Sequence, residues 1–228
     1  MILSMVAFMR KFQTLLLSFF LSILFISMLS AGDVTTLPQY SYITPLKTQQ
    51  PDGSGKPLVT TVSVLCEIDM QSAQETLLID SYYNNWVIQG LNALNTELHN
   101  PMTVYDRIET SDTGDELYLY FDLQNPFKVA DIMIPFIFTV VSNNENGTRV
   151  ELRLKKRNIV VRNAALDLLV QQGASGTILS AELTIDFSFI IDVLLNKPLY
   201  AENTEKRLRL CLEQLLVLLS EKNLISSQ

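Results

Sequence analysis

The sequence is poor in the residues from which enzyme and metal sites are most often built. It has one histidine, His99, and two cysteines, Cys66 and Cys211, which are far apart in the chain. Zinc sites are usually built from closely spaced Cys or His pairs, and none occurs here. No glycine-rich phosphate loop is present, and no nucleophile motif accompanies His99. We therefore predict no metal, no cofactor and no catalytic residue.

Positive charge is also scarce. Lys and Arg number 17 against 24 Asp and Glu, for a net charge of -7. Binding to nucleic acid depends mainly on neutralising phosphates, so a nucleic-acid partner is not expected. Two basic runs stand out, Arg153–Arg157 and Lys206–Arg209. Such runs are usually solvated surface, and we predict that here.

The two cysteines fall within apolar patterns, at Cys66 and Cys211. This placement favours two buried free thiols. A disulfide is the alternative if the protein resides in an oxidising compartment.

An export signal is predicted at residues 1–32. Arg10 and Lys11 precede an uncharged apolar run, Phe12–Leu29, and small residues follow at Ser30–Gly32. This order is typical of a cleaved signal peptide. The run is also nearly long enough to span a bilayer, so a retained membrane anchor is the alternative. Either outcome places the rest of the chain outside the cytoplasm, as a periplasmic, secreted or membrane-anchored protein.

Residues 33–57 have the composition of a flexible linker. Four prolines and the run Gly53–Gly55 disfavour both helix and strand there. Residues 58–228 then form one predicted domain, whose length suits a single core.

Within that domain, hydrophobic periodicity predicts one strand, then short helices, then about six antiparallel strands and a long C-terminal helix. Short helices are expected over Ala73–Leu98, with Ser72 as the cap. The long helix is expected to begin at a cap on Asn203 or Thr204 and to end near Lys222. The predicted strands alternate apolar and polar residues: they are Leu58–Asp69, Thr103–Glu109, Glu116–Leu123, Val129–Val141, a strand from Thr148, Ile159–Val170 and a strand through Leu179–Phe189. Strands followed by a helix argue for an α+β fold.

This order resembles the helix-grip fold of the START-like (SRPBCC) superfamily, in which a curved antiparallel sheet wraps a long C-terminal helix. Four sequence features are similar to family motifs: Trp86 at the end of the short helices, Pro126–Asp131, Gly147–Val150 and Val161-Arg162. The family often continues the second motif with Arg-Asp, whereas this chain has Ile132 and Met133.

The resemblance implies an apolar cavity between the sheet and the long helix. A hydrophobic small molecule or a lipid would be the partner, with possible membrane association through the N-terminal segment. The candidate ligand-binding residues that line the cavity are Phe136, Phe138, Leu183, Phe187, Leu208, Leu212 and Leu215. A solid hydrophobic core would use the same residues, so a filled interior in a structural or interaction protein stays open as an alternative.

An enzyme of the cyclase or hydrolase kind is the other alternative on this fold. It would need a polar group inside the cavity. The candidate suppliers are His99, Tyr118, Tyr120, Asp122 and Asp131. The lack of catalytic motifs favours a binding module over this enzyme.

Overall fold

An antiparallel sheet of eight strands forms most of the molecule in this computed structural model. Its strands are β1 (Tyr40–Tyr42), β2 (Leu58–Cys66), β3 (Thr103–Thr110), β4 (Glu116–Leu123), β5 (Val129–Asn144), β6 (Gly147–Leu154), β7 (Val161–Gln172) and β8 (Thr177–Phe187). The strand order across the sheet is β1-β2-β8-β7-β6-β5-β4-β3. Strands that are consecutive in sequence are therefore adjacent in the sheet, with the exception of β2 and β3. Strand β2 pairs with β8, and β3 forms the far edge of the sheet.

The structure describes residues 40–43, 57–79, 82–96, 103–124, 128–157, 161–188 and 197–226. The predicted leader, most of the predicted linker, His99, Pro126, Phe127 and Phe189 lie outside these residues. No helix in the described ranges is both long enough and apolar enough to cross a membrane.

The helices all cover one face of the sheet. Helix α1 spans Met70–Leu78, a π-helical turn at Asn84–Ile88 runs directly into α2 at Gln89–Thr96, and the long helix α3 spans Lys197–Ser226. The main core lies between the sheet and α3, whose predicted apolar stripe is buried: Leu208, Cys211, Leu212, Leu215, Leu216 and Leu219. The predicted α+β helix-grip fold is thus confirmed.

Side chains along the strands alternate between the two faces of the sheet, as the apolar and polar alternation in the sequence predicts. In β8, Leu179, Ala181, Ile185 and Phe187 are buried, whereas the alternate residues at 180, 182, 184 and 186 are partly exposed. Each β-strand sends alternate side chains to opposite faces, so this pattern gives the sheet one apolar face. Most strand boundaries differ from the predicted ones by only a few residues.

Two predictions about helix starts are wrong. Asp69, not Ser72, caps α1, because its carboxylate accepts a hydrogen bond from the Ser72 backbone N–H at 2.8 Å. The long helix begins at Lys197, ahead of the predicted cap at Asn203 or Thr204. Pro198 is tolerated in its first turn, where a missing N–H leaves no helical bond unmade. Burial of Ala201, Asn203 and Thr204 then outweighs the capping preference of the last two.

Strand β1 lies within the predicted linker, which was expected to form neither helix nor strand. It pairs antiparallel with β2, with Tyr42 opposite Val64. The hydroxyls of Tyr40 and Tyr42 both donate to Glu213 of α3. These contacts with a helix distant in sequence stabilise a strand that local composition disfavours.

The edge strand β3 is held by asparagine side chains. Asn84 exchanges two hydrogen bonds with the backbone of Ile108, and Asn92 does the same with Tyr105. Asn95 donates to the Thr103 carbonyl at 2.6 Å. Side-chain amides thus satisfy backbone groups that an edge strand would otherwise leave unpaired.

Candidate functional site

A cavity of about 290 Å³ lies between the sheet and helix α3. Its lining residues are overwhelmingly apolar and come from β3 to β8, the π-helical turn, α2 and α3. Small-molecule pockets in proteins are mostly apolar with a few placed polar groups, and this cavity has that character.

The sheet supplies the larger part of the wall through alternating positions. Leu117 and Leu119 of β4 point inward, as do Leu166 and Leu168 of β7. Ala181 and Leu183 of β8 continue the same surface. This wall follows directly from the period-two pattern in the sequence.

The π-helical turn places two aromatic residues beside the cavity. Tyr83, immediately before the turn, and Trp86, within it, pack with tilted rings whose centroids are 5.3 Å apart, and both are almost fully buried. The Tyr83 hydroxyl donates to the Leu77 carbonyl at 2.8 Å. The Trp86 indole N–H is buried and has no hydrogen-bond partner among the described residues. π-Helical turns occur frequently at functional sites.

Helix α3 supplies both an apolar and a polar portion of the wall. Leu208 and Leu212 are the apolar portion. One turn toward the N-terminus, Asn203, Thr204 and Arg207 also line the cavity. Residues three and four apart share one face of a helix, so these three polar side chains stand together at one end of the wall.

Arg207 is the charged residue among the described residues that line the cavity. Its guanidinium donates to the Leu91 carbonyl of α2 at 3.1 Å, and its Cζ lies 5.8 Å from the centre of the Tyr105 ring. No Asp or Glu among the described residues forms an ion pair with it. An amphipathic interior results, with a cation at one end and hydrocarbon along the rest.

Both cysteines are buried free thiols, as predicted. Burial raises the pKa of Cys211 to about 12, although the nearby positive charge of Arg207 works in the opposite direction. Burial also raises the pKa of Cys66 to about 11. A thiol is nucleophilic as its thiolate, so neither cysteine is activated near neutral pH. Within the described residues, no cluster of His, Cys, Asp or Glu could hold a metal ion.

Of the seven residues predicted to line the cavity, four do so: Phe136, Leu183, Leu208 and Leu212. Whether they bind a ligand stays a prediction. The other three lie elsewhere in the core. Phe138 packs edge-to-face on Tyr83, with ring centroids 6.0 Å apart. Leu215 is buried one turn further along α3, and Phe187 packs with Leu58 and Ile185 in a separate cluster.

The residues considered for catalysis are not brought together in the cavity. Tyr118 and Tyr120 alternate with Leu117 and Leu119 and so lie on the opposite face of β4. Asp131 is exposed, and its backbone N–H donates to the Asp122 carboxylate across an irregularity between β4 and β5. Between the pairs Phe121–Ile132 and Leu123–Val129, strand β5 has one residue more than β4. Such a β-bulge bends the strand locally and changes the direction of its side chains. His99 lies outside the described residues.

The sequence reasoning missed the polar residues of the cavity: Tyr105, Asn203, Thr204 and Arg207. One pattern could have indicated Arg207. Lys206 and Arg209 each follow a glutamate by four residues, but Arg207 follows Asn203. The run Lys206–Arg209 was predicted to be solvated surface, but Arg207 lines the cavity. Lys206 and Arg209 form ion pairs four residues back along the helix, whereas Arg207 has no carboxylate at that position.

Three features identify the architecture as a helix-grip fold. They are the strand order of the sheet, the short helices after β2 and the long C-terminal helix packed against the inner face. The fold is START-like. The resemblance inferred from the four sequence features is confirmed at the level of the fold.

Solved structures give similarities of the same kind. A START superfamily protein from Mycobacterium smegmatis is 12% identical with a TM-score of 0.46, and the alignment covers 73% of this chain and 99% of that one. A STAR-related lipid transfer protein from Xanthomonas axonopodis is 14% identical with a TM-score of 0.43, covering 77% and 98% of the two chains.

The di-domain ARO/CYC protein StfQ from the steffimycin biosynthetic pathway is 9% identical with a TM-score of 0.46. The alignment covers 74% of this chain but only 52% of that protein, so the chain spans about half its length. These values concern the fold alone, and nothing about ligand or activity follows from them. No protein-family model matches the chain, and neither does any curated protein.

Proposed function

We propose that this START-like domain encloses a hydrophobic small molecule or lipid between its sheet and helix α3. The observation that carries the proposal is the cavity itself, about 290 Å³ and walled almost entirely by hydrocarbon. A filled core would leave no such space, because protein interiors are ordinarily packed as densely as organic crystals.

Burial of the ligand's apolar surface would drive binding. Each Å² of apolar surface removed from water contributes about 25 cal/mol, from which the loss of ligand freedom must be subtracted. A preformed apolar wall requires little rearrangement, which favours net binding. The inward leucines of β4, β7 and β8 form part of this apolar surface.

The proposal includes export, with residues 1–32 acting as a signal peptide or membrane anchor. The apolar run at Phe12–Leu29 with Arg10 and Lys11 ahead of it supports this part. An exported domain of this kind would hold an apolar molecule away from water outside the cytoplasm or at a membrane surface.

Native mass spectrometry on the full chain, expressed with its leader and purified from the exported fraction, tests both parts. We expect a co-purifying species that organic extraction removes and identifies. The protein's mass shows whether it has been cleaved near Ala31 or retains all 228 residues. Recovery of the protein from the cytoplasm alone would overturn export.

A matched pair of variants ties the bound species to the cavity. Leu183→Trp adds bulk within the cavity wall and should abolish co-purification. Leu169→Trp makes the same change on β7 at a position outside the cavity lining, opposite Ser180, and should leave co-purification intact. Equal occupancy of both variants, or a wild-type protein that neither carries nor takes up any apolar molecule, would contradict the proposal.

A further inference from the structure

A positive charge stands at one end of the apolar cavity. Arg207 lines the cavity together with Asn203 and Thr204, and the next turn of α3 presents Leu208 and Leu212. The polar residues are thus grouped on one helical turn, and the apolar ones follow toward the C-terminus. A ligand matching this wall has a polar head and an apolar body.

The charge is not compensated as its neighbours' charges are. Lys206 pairs with Glu202 and Arg209 pairs with Glu205, each at 3.0 Å and four residues apart. The corresponding position for Arg207 is Asn203, and no carboxylate of the described residues pairs with Arg207. A local ion-pair pattern on α3 is therefore interrupted at the residue that faces the cavity.

The guanidinium also has donors to spare. An arginine has five N–H donors, and the bond to the Leu91 carbonyl uses one of them. A guanidinium carries its positive charge at all ordinary pH values. Beside hydrocarbon walls, its attraction for an anion is stronger than in water, because the effective dielectric constant is lower. Planar carboxylate and phosphate groups match its fork of donors.

The size of the cavity restricts the apolar body. The volume of about 290 Å³ lies just below the range of roughly 300–1,000 Å³ found for small-molecule pockets. Such a volume suits one short hydrocarbon chain or a small ring system, and two long acyl chains would not be enclosed.

We propose that the cavity selects an anionic amphiphile, whose carboxylate or phosphate pairs with Arg207 while a single apolar chain or small ring system lies against Leu208, Leu212 and Leu183. This inference rests on the proposed function and names the ligand class for the same site. Asn203 and Thr204 flank the anionic head on the preceding turn of α3.

Three ligands of equal chain length test the proposal on the purified full chain: decanoate, decyl phosphate and the neutral decanol. Their dissociation constants are measured by isothermal titration below the concentrations at which they aggregate. We expect one or both anions to bind about tenfold or more tightly than decanol, since a hydrogen bond to a charged group contributes more than a neutral one. The two anions distinguish a carboxylate head from a phosphate head.

Variants at Arg207 assign the selectivity to that residue. Arg207→Gln should remove the preference for the anion while decanol binds within about twofold of wild type. Arg207→Lys keeps the charge and should restore part of the preference. Lys206→Gln removes one positive charge from the neighbouring position, where Glu202 is its partner, and should leave the preference unchanged.

The outcomes separate this inference from the proposed function. If decanol binds and the anions bind no more tightly, the cavity holds apolar ligands and the anion selectivity is wrong. If Arg207→Gln and Lys206→Gln reduce the preference equally, general electrostatic attraction is responsible and the assignment to Arg207 is wrong. Wild-type protein that binds none of the three ligands overturns the anionic-amphiphile inference, whereas the proposed function falls only if the exported protein also carries no apolar molecule.

Discussion

Gly90 allows helices α2 and α3 to approach each other next to the cavity. A Cβ atom at Gly90 would lie 2.5 Å from the Cys211 Cα and 2.7 Å from its backbone N. These are backbone atoms of α3, so a side-chain rotation cannot relieve the contact. Leu91, the next residue, receives the hydrogen bond from Arg207. The glycine thus sets the spacing on which one side of the cavity depends.

Gly90→Ala should therefore destabilise the protein even though alanine is the better helix former. The helix preference contributes about 1 kcal/mol in favour of alanine. Overpacking costs about 1–3 kcal/mol, and the upper part of that range, about 2–3 kcal/mol, applies here because the contacted atoms belong to the backbone of α3. We expect a net loss of about 1–2 kcal/mol in the free energy of unfolding, measured by urea denaturation. Gln89→Ala, at the exposed neighbouring position, serves as the control and should stay within about 0.5 kcal/mol. A Gly90→Ala variant as stable as wild type would show that the helices separate freely.

At the scale of elements, strand β1 is attached to the molecule from two sides. Its backbone pairs with β2, and its tyrosines reach α3, where the Tyr42 hydroxyl lies 2.7 Å and the Tyr40 hydroxyl 3.1 Å from the same Glu213 oxygen. The Arg209 guanidinium stacks 4.3 Å from the centre of the Tyr42 ring. Three residues of strand are short for independent stability, so these side-chain contacts decide whether β1 forms.

Tyr42→Phe should loosen β1 without unfolding the domain. A hydrogen bond to a charged group contributes about 1.5–3 kcal/mol, which corresponds to a roughly tenfold to hundredfold change in local opening. Hydrogen exchange should show faster exchange at residues 40–43 and unchanged protection in β7 and β8. Tyr118→Phe also removes a tyrosine–glutamate bond, to Glu116 on the outer face, and should leave β1 unaffected. Unchanged exchange of β1 in Tyr42→Phe would mean that backbone pairing alone holds the strand.

The stability of the whole molecule should fall at alkaline pH, because several buried groups must keep their protons for the core to stay closed. Burial raises the pKa of Cys211 from 9.0 to about 12. Burial and the bond to Glu213 raise the pKa of Tyr42 well above its ordinary value. A folded-state pKa above the unfolded value gives stability that is complete below the unfolded pKa and is lost as the pH rises.

For Cys211 the window runs from pH 9.0 to about 12. There the unfolded chain has released the thiol proton and the folded chain has not. The free energy of unfolding should fall by up to about 1.4 kcal/mol per pH unit from this thiol alone. Urea unfolding curves recorded at intervals from pH 8 to pH 11 give the change in the free energy of unfolding with pH. In Cys211→Ala, this free energy should fall less steeply as the pH rises. Identical slopes in both proteins would show that the thiol is not shielded as the structure places it.

Sequence periodicity was enough for the order of strands and helices and for the α+β class, and the family resemblance added the helix-grip arrangement. Alternation in β4 and β8 and the apolar stripe of α3 both depend on the direction of each side chain from its own backbone, which is a local property. For that reason Leu208, Leu212, Leu183 and Phe136 were correctly expected to face inward. Strand β1 was not expected, because its stabilising partners, Val64 and Glu213, are remote in sequence.

The sequence by itself determined which side chains point to the interior, and the tertiary structure decided which of them meet another side chain there. Leu212 lines the cavity while Leu215, one turn away on the same stripe, is packed in the core. Asn203 and Thr204 looked like a helix cap, but the start of α3 at Lys197 places them at the cavity beside Arg207. The close approach of α2 and α3 beside the cavity depends on Gly90 and Cys211, which are far apart in the chain, so no local pattern could encode it.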